Sequence, residues 1–145
     1  MQKLNVSVRR LNRAGVLPNF GYAGDAAFDL PTAVDVDLPP GERKKVPTGW
    51  AVAIPQGYAG LVLPRSGLAD RLGIGVVNSP GLIDSGYRGE VAVILVNLSG
   101  ETVRFSRGDR IAQLMVVAAP AVCLVEVDRL DETERGEAGF GSTGR

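Results

Sequence analysis

Residues 45–63 read KVPTGWAVAIPQGYAGLVL. From Lys45 to Ile54 the side chains alternate, with Trp50, Val52 and Ile54 on one side and Ala51 and Ala53 on the other, the period of a β-strand. A second apolar strand follows at residues 60–63 and stops at Pro64. Outward from this pair the same signals recur at about ten-residue spacing. Upstream, residues 4–8 and 31–38 read as strands, with a loop over 15–24 between them. Downstream, residues 91–98, 110–117 and 122–127 do so, while 74–78 and 81–87 surround turn signals. Pro39-Pro40-Gly41, Ser79-Pro80-Gly81 and Asp84-Ser85-Gly86 punctuate them as turns. One segment differs. Ser66 is a suitable helix N-cap and Gly73 a suitable stop, which predicts one short helix between them. The expected fold is all-β, a jelly-roll-like sandwich or distorted barrel with one short helix and Trp50 in its packing.

The composition agrees. A chain of 145 residues suits a single domain with its own core. With 16 basic and 16 acidic residues the net charge is zero, so no basic field exists to hold nucleic acid. The longest apolar run, residues 114–125, is too short for a bilayer and contains Pro120. The expectation is a cytoplasmic protein without nucleic-acid or membrane partners. There is no His, which excludes a Ser-His-Asp triad, a Cys-His dyad and His-ligated zinc. The single Cys123 excludes an internal disulfide; in its apolar run it is expected to be a buried, inert thiol. Residues 1–130 form the expected core. Residues 131–145, DETERGEAGFGSTGR, hold one large apolar side chain, Phe140, and read either as a disordered tail or as an arm that orders on a ligand.

Three constellations could carry chemistry. Arg65, Ser66 and Gly67 stand at the expected helix start, where free N–H groups and an arginine fork suit an anion, although a plain capped helix has the same look. Asp84 sits in a hairpin, either as a turn-former or as a rigid carboxylate able to deprotonate water. Residues 139–144 match G-x-G-x-x-G, but no strand precedes them and no helix can follow, so a dinucleotide-binding reading fails. A flexible loop that could wrap phosphates remains.

In order, residues 23–30 (AGDAAFDL), 64–69 (PRSGLA), 81–90 (GLIDSGYRGE), 107–113 (RGDRIAQ) and 135–144 (RGEAGFGSTG) resemble the five motifs of the trimeric dUTPase family. The resemblance implies a homotrimer with shared active sites, dUTP as substrate, and Mg2+ carried on its triphosphate. The implied reaction gives dUMP and pyrophosphate, which keeps uracil out of DNA and supplies dUMP for thymidylate synthesis. By the same resemblance Asp84 activates the attacking water and Gln113 helps to place it. Arg65, Ser66, Gly67, Arg135, Ser142 and Thr143 hold phosphates. Asn78 and the backbone of Gly81, Leu82 and Ile83 read uracil, Tyr87 packs on the deoxyribose, and Phe140 covers the base. Asp29 acts on the metal through water. One departure is Ala138 where the family's arm commonly has a second glycine before its Phe. Two rivals are carried. The dCTP deaminase branch needs a glutamate in the strand after the hairpin, where this chain has Ile94. The other is a non-catalytic nucleotide-binding β module.

Overall fold

The alternation becomes three antiparallel sheets in a computed structural model, which describes residues 4–140 and 142. The strands are β1 (Ser7–Arg10), β2 (Ala27–Pro31), β3 (Val36–Leu38), β4 (Arg43–Ala53), β5 (Tyr58–Leu63), β6 (Ile74–Val76), β7 (Gly81–Ile83), β8 (Glu90–Asn97), β9 (Val103–Phe105) and β10 (Arg110–Ala118). The first sheet has the order β1-β4-β8-β6 and the second β2-β10-β5-β7, while β3 and β9 form a separate ribbon. The sheets do not close on one another, in keeping with the jelly-roll-like all-β fold expected.

The core lies between the inward faces. Val91, Val93 and Leu95 of β8 meet Leu30, Val62, Ile83 and Leu114 of the second sheet, with Val36, Leu38 and Phe105 from the ribbon. Burying one such aliphatic side chain contributes about 1.5–3 kcal/mol, so this cluster supplies the drive to fold. Asn97 and Thr48 are also fully buried, and each is paired: Asn97 Nδ2 donates to the Leu38 carbonyl at 2.8 Å and Thr48 Oγ1 to the Val91 carbonyl at 2.6 Å. Trp50 is buried as expected, its Nε1 donating to the Val16 carbonyl at 2.8 Å. The one helix among the described residues, α1 (Ser66–Leu72), stops at Gly73, whose φ of 63° is a left-handed turn that glycine adopts without steric cost. No helix among the described residues is long and apolar enough to cross a membrane.

Several expectations are corrected. The strand read over 31–38 is two strands, β2 ending at Pro31 and β3 beginning at Val36, and β9 joins as a short element the sequence pattern did not show. Arg65, not Ser66, is the N-cap of α1, and it makes no side-chain cap bond. The strand expected at 122–127 pairs with nothing. A strand needs a partner for its N–H and C=O groups, and past the Ala119 N–H bond to the Gly57 carbonyl the chain makes only local backbone bonds among the described residues. Val122, Leu124, Val125 and Val127 are therefore exposed, and so is Cys123, contrary to the buried thiol expected.

Candidate active site

The second sheet's outward face is laid out by its register. On β10, Arg110 pairs with Pro31 but Ala112 with Leu30, so one extra residue is inserted between them. This bulge buries Ile111 and Ala112 in succession and resets the alternation. Gln113 then falls opposite Asp29 of β2 on one side and Leu63 of β5 on the other, and the three form one outward row. Arg65, Ser66 and Gly67 follow Leu63 after the single residue Pro64. Arg110 starts β10, and Gly21, Tyr22 and Asp25 close the far side. Together they line a cleft of about 440 Å³.

Charge is fixed inside this cleft by Asp29, whose side chain is 12% exposed. Its Oδ1 lies 3.0 Å from Arg65 Nε and its Oδ2 3.1 Å from Arg110 Nη1. Arg65 Nη1 donates to the Arg110 carbonyl at 3.1 Å, and Gln113 Nε2 to the Pro64 carbonyl at 3.0 Å. One carboxylate thus orients two guanidinium forks, leaving other N–H donors of each for an anion. Arg110 is a cleft residue the sequence reading passed over. Its position in the same short segment as Gln113 was the available signal. The N–H groups of Ser66 and Gly67, in the first turn of α1, have no carbonyl one turn back to receive them.

A second cleft, of about 180 Å³, lies between β7 and its turn on one side and β6 and β8 on the other. Asn78, Gly81, Leu82, Ile83, Asp84 and Tyr87 all line it. Asp84 and Tyr87 share one turn, closed by the Tyr87 N–H donating to the Asp84 carbonyl at 3.0 Å. Asp84 is exposed at the mouth of this turn. Glu90, also missed, lines the cleft, and its Oε1 accepts from the Gly49 N–H at 2.8 Å, which ties the hairpin to β4. Ile94 lines the same cleft, and β8 carries no carboxylate beyond Glu90.

The candidate residues thus fall into two groups that one chain does not bring together. Val62 lines the smaller cleft and Leu63 the larger. Asp84 lines a cleft at the β7 edge of the second sheet, and Gln113 a separate cleft on its outward face. Arg135, Phe140 and Ser142 line neither. They lie in the exposed C-terminal segment, where Arg135 Nε donates to the Ala138 carbonyl at 2.9 Å and Phe140 is fully exposed. Thr143 lies outside the described residues. No three His, Cys, Asp or Glu side chains converge on a metal position among the described residues. Asp25 and Asp29 place hard oxygen donors in the larger cleft, which fits a Mg2+ ion that arrives on a phosphate chain and keeps its waters.

A family model described as dUTPase matches residues 13–144. A deoxyuridine 5'-triphosphate nucleotidohydrolase of Thermobifida fusca is 52% identical over 142 residues, covering 97% of this chain and 79% of that protein. Among solved structures, the Staphylococcus bacteriophage 80alpha dUTPase with dUpNHpp superposes with a TM-score of 0.91 at 29% identity, covering 99% of this chain and all of that one. A mutant dUTPase from phage phi11 of S. aureus, described for its coordination of a structural Mg(II) ion, gives a TM-score of 0.81 at 28% identity over 87% of this chain and 98% of that one. Motif order, fold and these likenesses agree, and the chain belongs to the dUTPase family.

Proposed function

We propose that this dUTPase converts dUTP to dUMP and pyrophosphate by in-line attack of water on the α-phosphorus, in a site assembled from three copies of the chain. The water oxygen bonds to the α-phosphorus as its proton passes to the Asp84 carboxylate, and the bond from that phosphorus to the bridging oxygen of pyrophosphate breaks. General-base help of this kind is worth about 10²–10⁴-fold. Gln113 holds the α-phosphate and water in line. Arg65, Ser66 and Gly67 take the phosphate chain, with Asp29 keeping Arg65 oriented. Asn78 and the backbone of Gly81, Leu82 and Ile83 read the uracil edge, and Tyr87 walls the deoxyribose. From a further copy, Arg135, Ser142 and Thr143 close on the outer phosphates and Phe140 covers the base. Mg2+ would neutralise phosphate charge, with Asp29 holding its water shell.

The observation that supports the shared site is the placement of Asp84 and Gln113 in two separate clefts of one chain. In this reading one substrate meets Asp84 of one copy and Gln113 of another. Surface supports this. Ala92, Ile94 and Val96 are half-buried on the outer face of β8, and Val122, Leu124 and Val125 are bare in a single chain. Unpartnered apolar surface of this kind marks contact between proteins. The same reading puts the enzyme in the cytoplasm, where one unpaired thiol stays reduced.

The test is subunit complementation. Asp84→Asn and Gln113→Ala chains, each inactive alone, are unfolded together, refolded as a mixture and assayed for pyrophosphate release from dUTP and Mg2+. Random assembly leaves about a quarter of the sites with both native groups, since each site then draws on different copies. Recovered activity, with UTP, dTTP and dCTP nearly inert on the wild type, is the expected result. A mixture as dead as its parents overturns the shared site. A wild type that leaves dUTP intact overturns the reaction.

A further inference from the structure

The turn that carries Asp84 and Tyr87 contains a glycine whose role concerns space, not backbone freedom. The φ of Gly89 is outside the left-handed region, so its backbone suits any residue. A Cβ added there would lie 2.6 Å from Tyr87 Cζ and 2.9 Å from Cε2, with the hydroxyl oxygen closer still. The Tyr87 ring is thus folded back onto its own hairpin, over the bare Cα of Gly89. Its hydroxyl donates to the Glu90 carbonyl at 2.9 Å, which fixes the far end of the ring.

The surrounding backbone is held on several sides. The Tyr87 N–H bonds the Asp84 carbonyl at 3.0 Å, and Arg88 Nη1 donates to the Ser85 and Tyr87 carbonyls at 2.6 and 2.8 Å. Glu90 is anchored to the Gly49 N–H across the sheet. A methyl at position 89 is therefore accommodated by displacing the ring, which sits at the exposed end of the cleft, and not by moving the turn.

We infer that Gly89 is a positioning residue for sugar discrimination. By having no side chain it lets the Tyr87 ring lie flat and hydrogen-bonded as a rigid wall beside the 2′ carbon of the nucleotide. The inference rests on the reading of Tyr87 as the deoxyribose wall. Without the Glu90 anchor the ring swings, and the space a 2′-hydroxyl needs becomes accessible.

The experiment measures kcat and KM for dUTP and UTP in the wild type, Gly89→Ala, Tyr87→Ala and the double variant, with thermal unfolding followed for each. Gly89→Ala is expected to keep its unfolding midpoint and most of its kcat on dUTP. Its dUTP-to-UTP ratio of kcat/KM is expected to fall about tenfold to a hundredfold, the size of effect a displacement near 1 Å can have in a site. In the Tyr87→Ala background the ring is gone, and adding Gly89→Ala should leave the ratio unchanged, the signature of two residues acting through one contact. If Gly89→Ala slows dUTP and UTP by the same factor, or if the two substitutions are additive, the inference is overturned while the reading of Tyr87 stands. If Tyr87→Ala itself leaves the ratio intact, that reading fails and the inference with it.

Discussion

The hairpin cleft and the arginine cleft are made in opposite ways. The first draws Asn78, Gly81–Ile83, Asp84 and Tyr87 from one short run of chain, and its geometry is set by a turn with its own hydrogen bonds. The second collects Asp29, Arg65, Arg110 and Gln113 from three distant segments and is held by strand register and two ion pairs. A local turn can place a reacting carboxylate with few dependencies. A charge cradle for a polyanion needs cations brought from several places and a counter-charge to keep them oriented while it is empty. The proposed chemistry divides accordingly, with proton transfer assigned to the first cleft and phosphate binding to the second.

The largest expected effect tests that division. Asp84→Asn keeps the shape of the side chain but cannot accept the proton. The kcat for dUTP should fall about 10²–10⁴-fold, while dUTP affinity measured by calorimetry stays close to wild type. A variant that loses affinity and keeps kcat would place Asp84 in binding and erase the contrast between the clefts.

Asp29→Asn attacks the other side. It removes the anchor of both Arg65 and Arg110. A hydrogen bond to a charged group is worth about 1.5–3 kcal/mol, so KM for dUTP should rise about tenfold to a hundredfold, with kcat changed much less. Steady-state kinetics decides it. A fall in kcat at constant KM would mean that Asp29 acts on the reacting atoms and not through the arginines.

The same contrast governs what the sequence could reveal. The hairpin cleft was legible because its residues are neighbours in the chain and its turn carries the Asp-Ser-Gly signal. The all-β class was legible from alternation in Lys45–Ile54, most of which lies in β4. Register was not. Whether Gln113 faces the core or the cleft depends on the inserted residue between Arg110 and Ala112, and a one-residue slip sends every side chain to the other face. β2 (Ala27–Pro31) lies upstream of the alternation read from Pro31 onward; the strand tolerates a terminal proline because β2 is at the edge of its sheet. β9 is three residues long and too short to show a period. Residues 122–127 carried a true apolar pattern, but a pattern does not say which chain supplies the partner. Among the described residues neither the strand nor the buried Cys123 expected there is found.

The smallest effect is expected at Ser66, where two readings of one hydroxyl part company. As an N-cap, its loss would cost about 1 kcal/mol of stability. In the structure Arg65 is the cap residue, Ser66 is already helical, and no side-chain cap bond is made. Ser66→Ala should therefore change stability by less than about 0.5 kcal/mol, as at an ordinary surface site. A neutral hydrogen bond to phosphate is worth about 0.5–1.5 kcal/mol, so KM for dUTP should rise severalfold. Chemical denaturation and steady-state kinetics on one variant separate the two roles. A destabilised protein with an unchanged KM would return Ser66 to the helix and leave the arginines and Gln113 as the larger cleft's side-chain donors to the nucleotide.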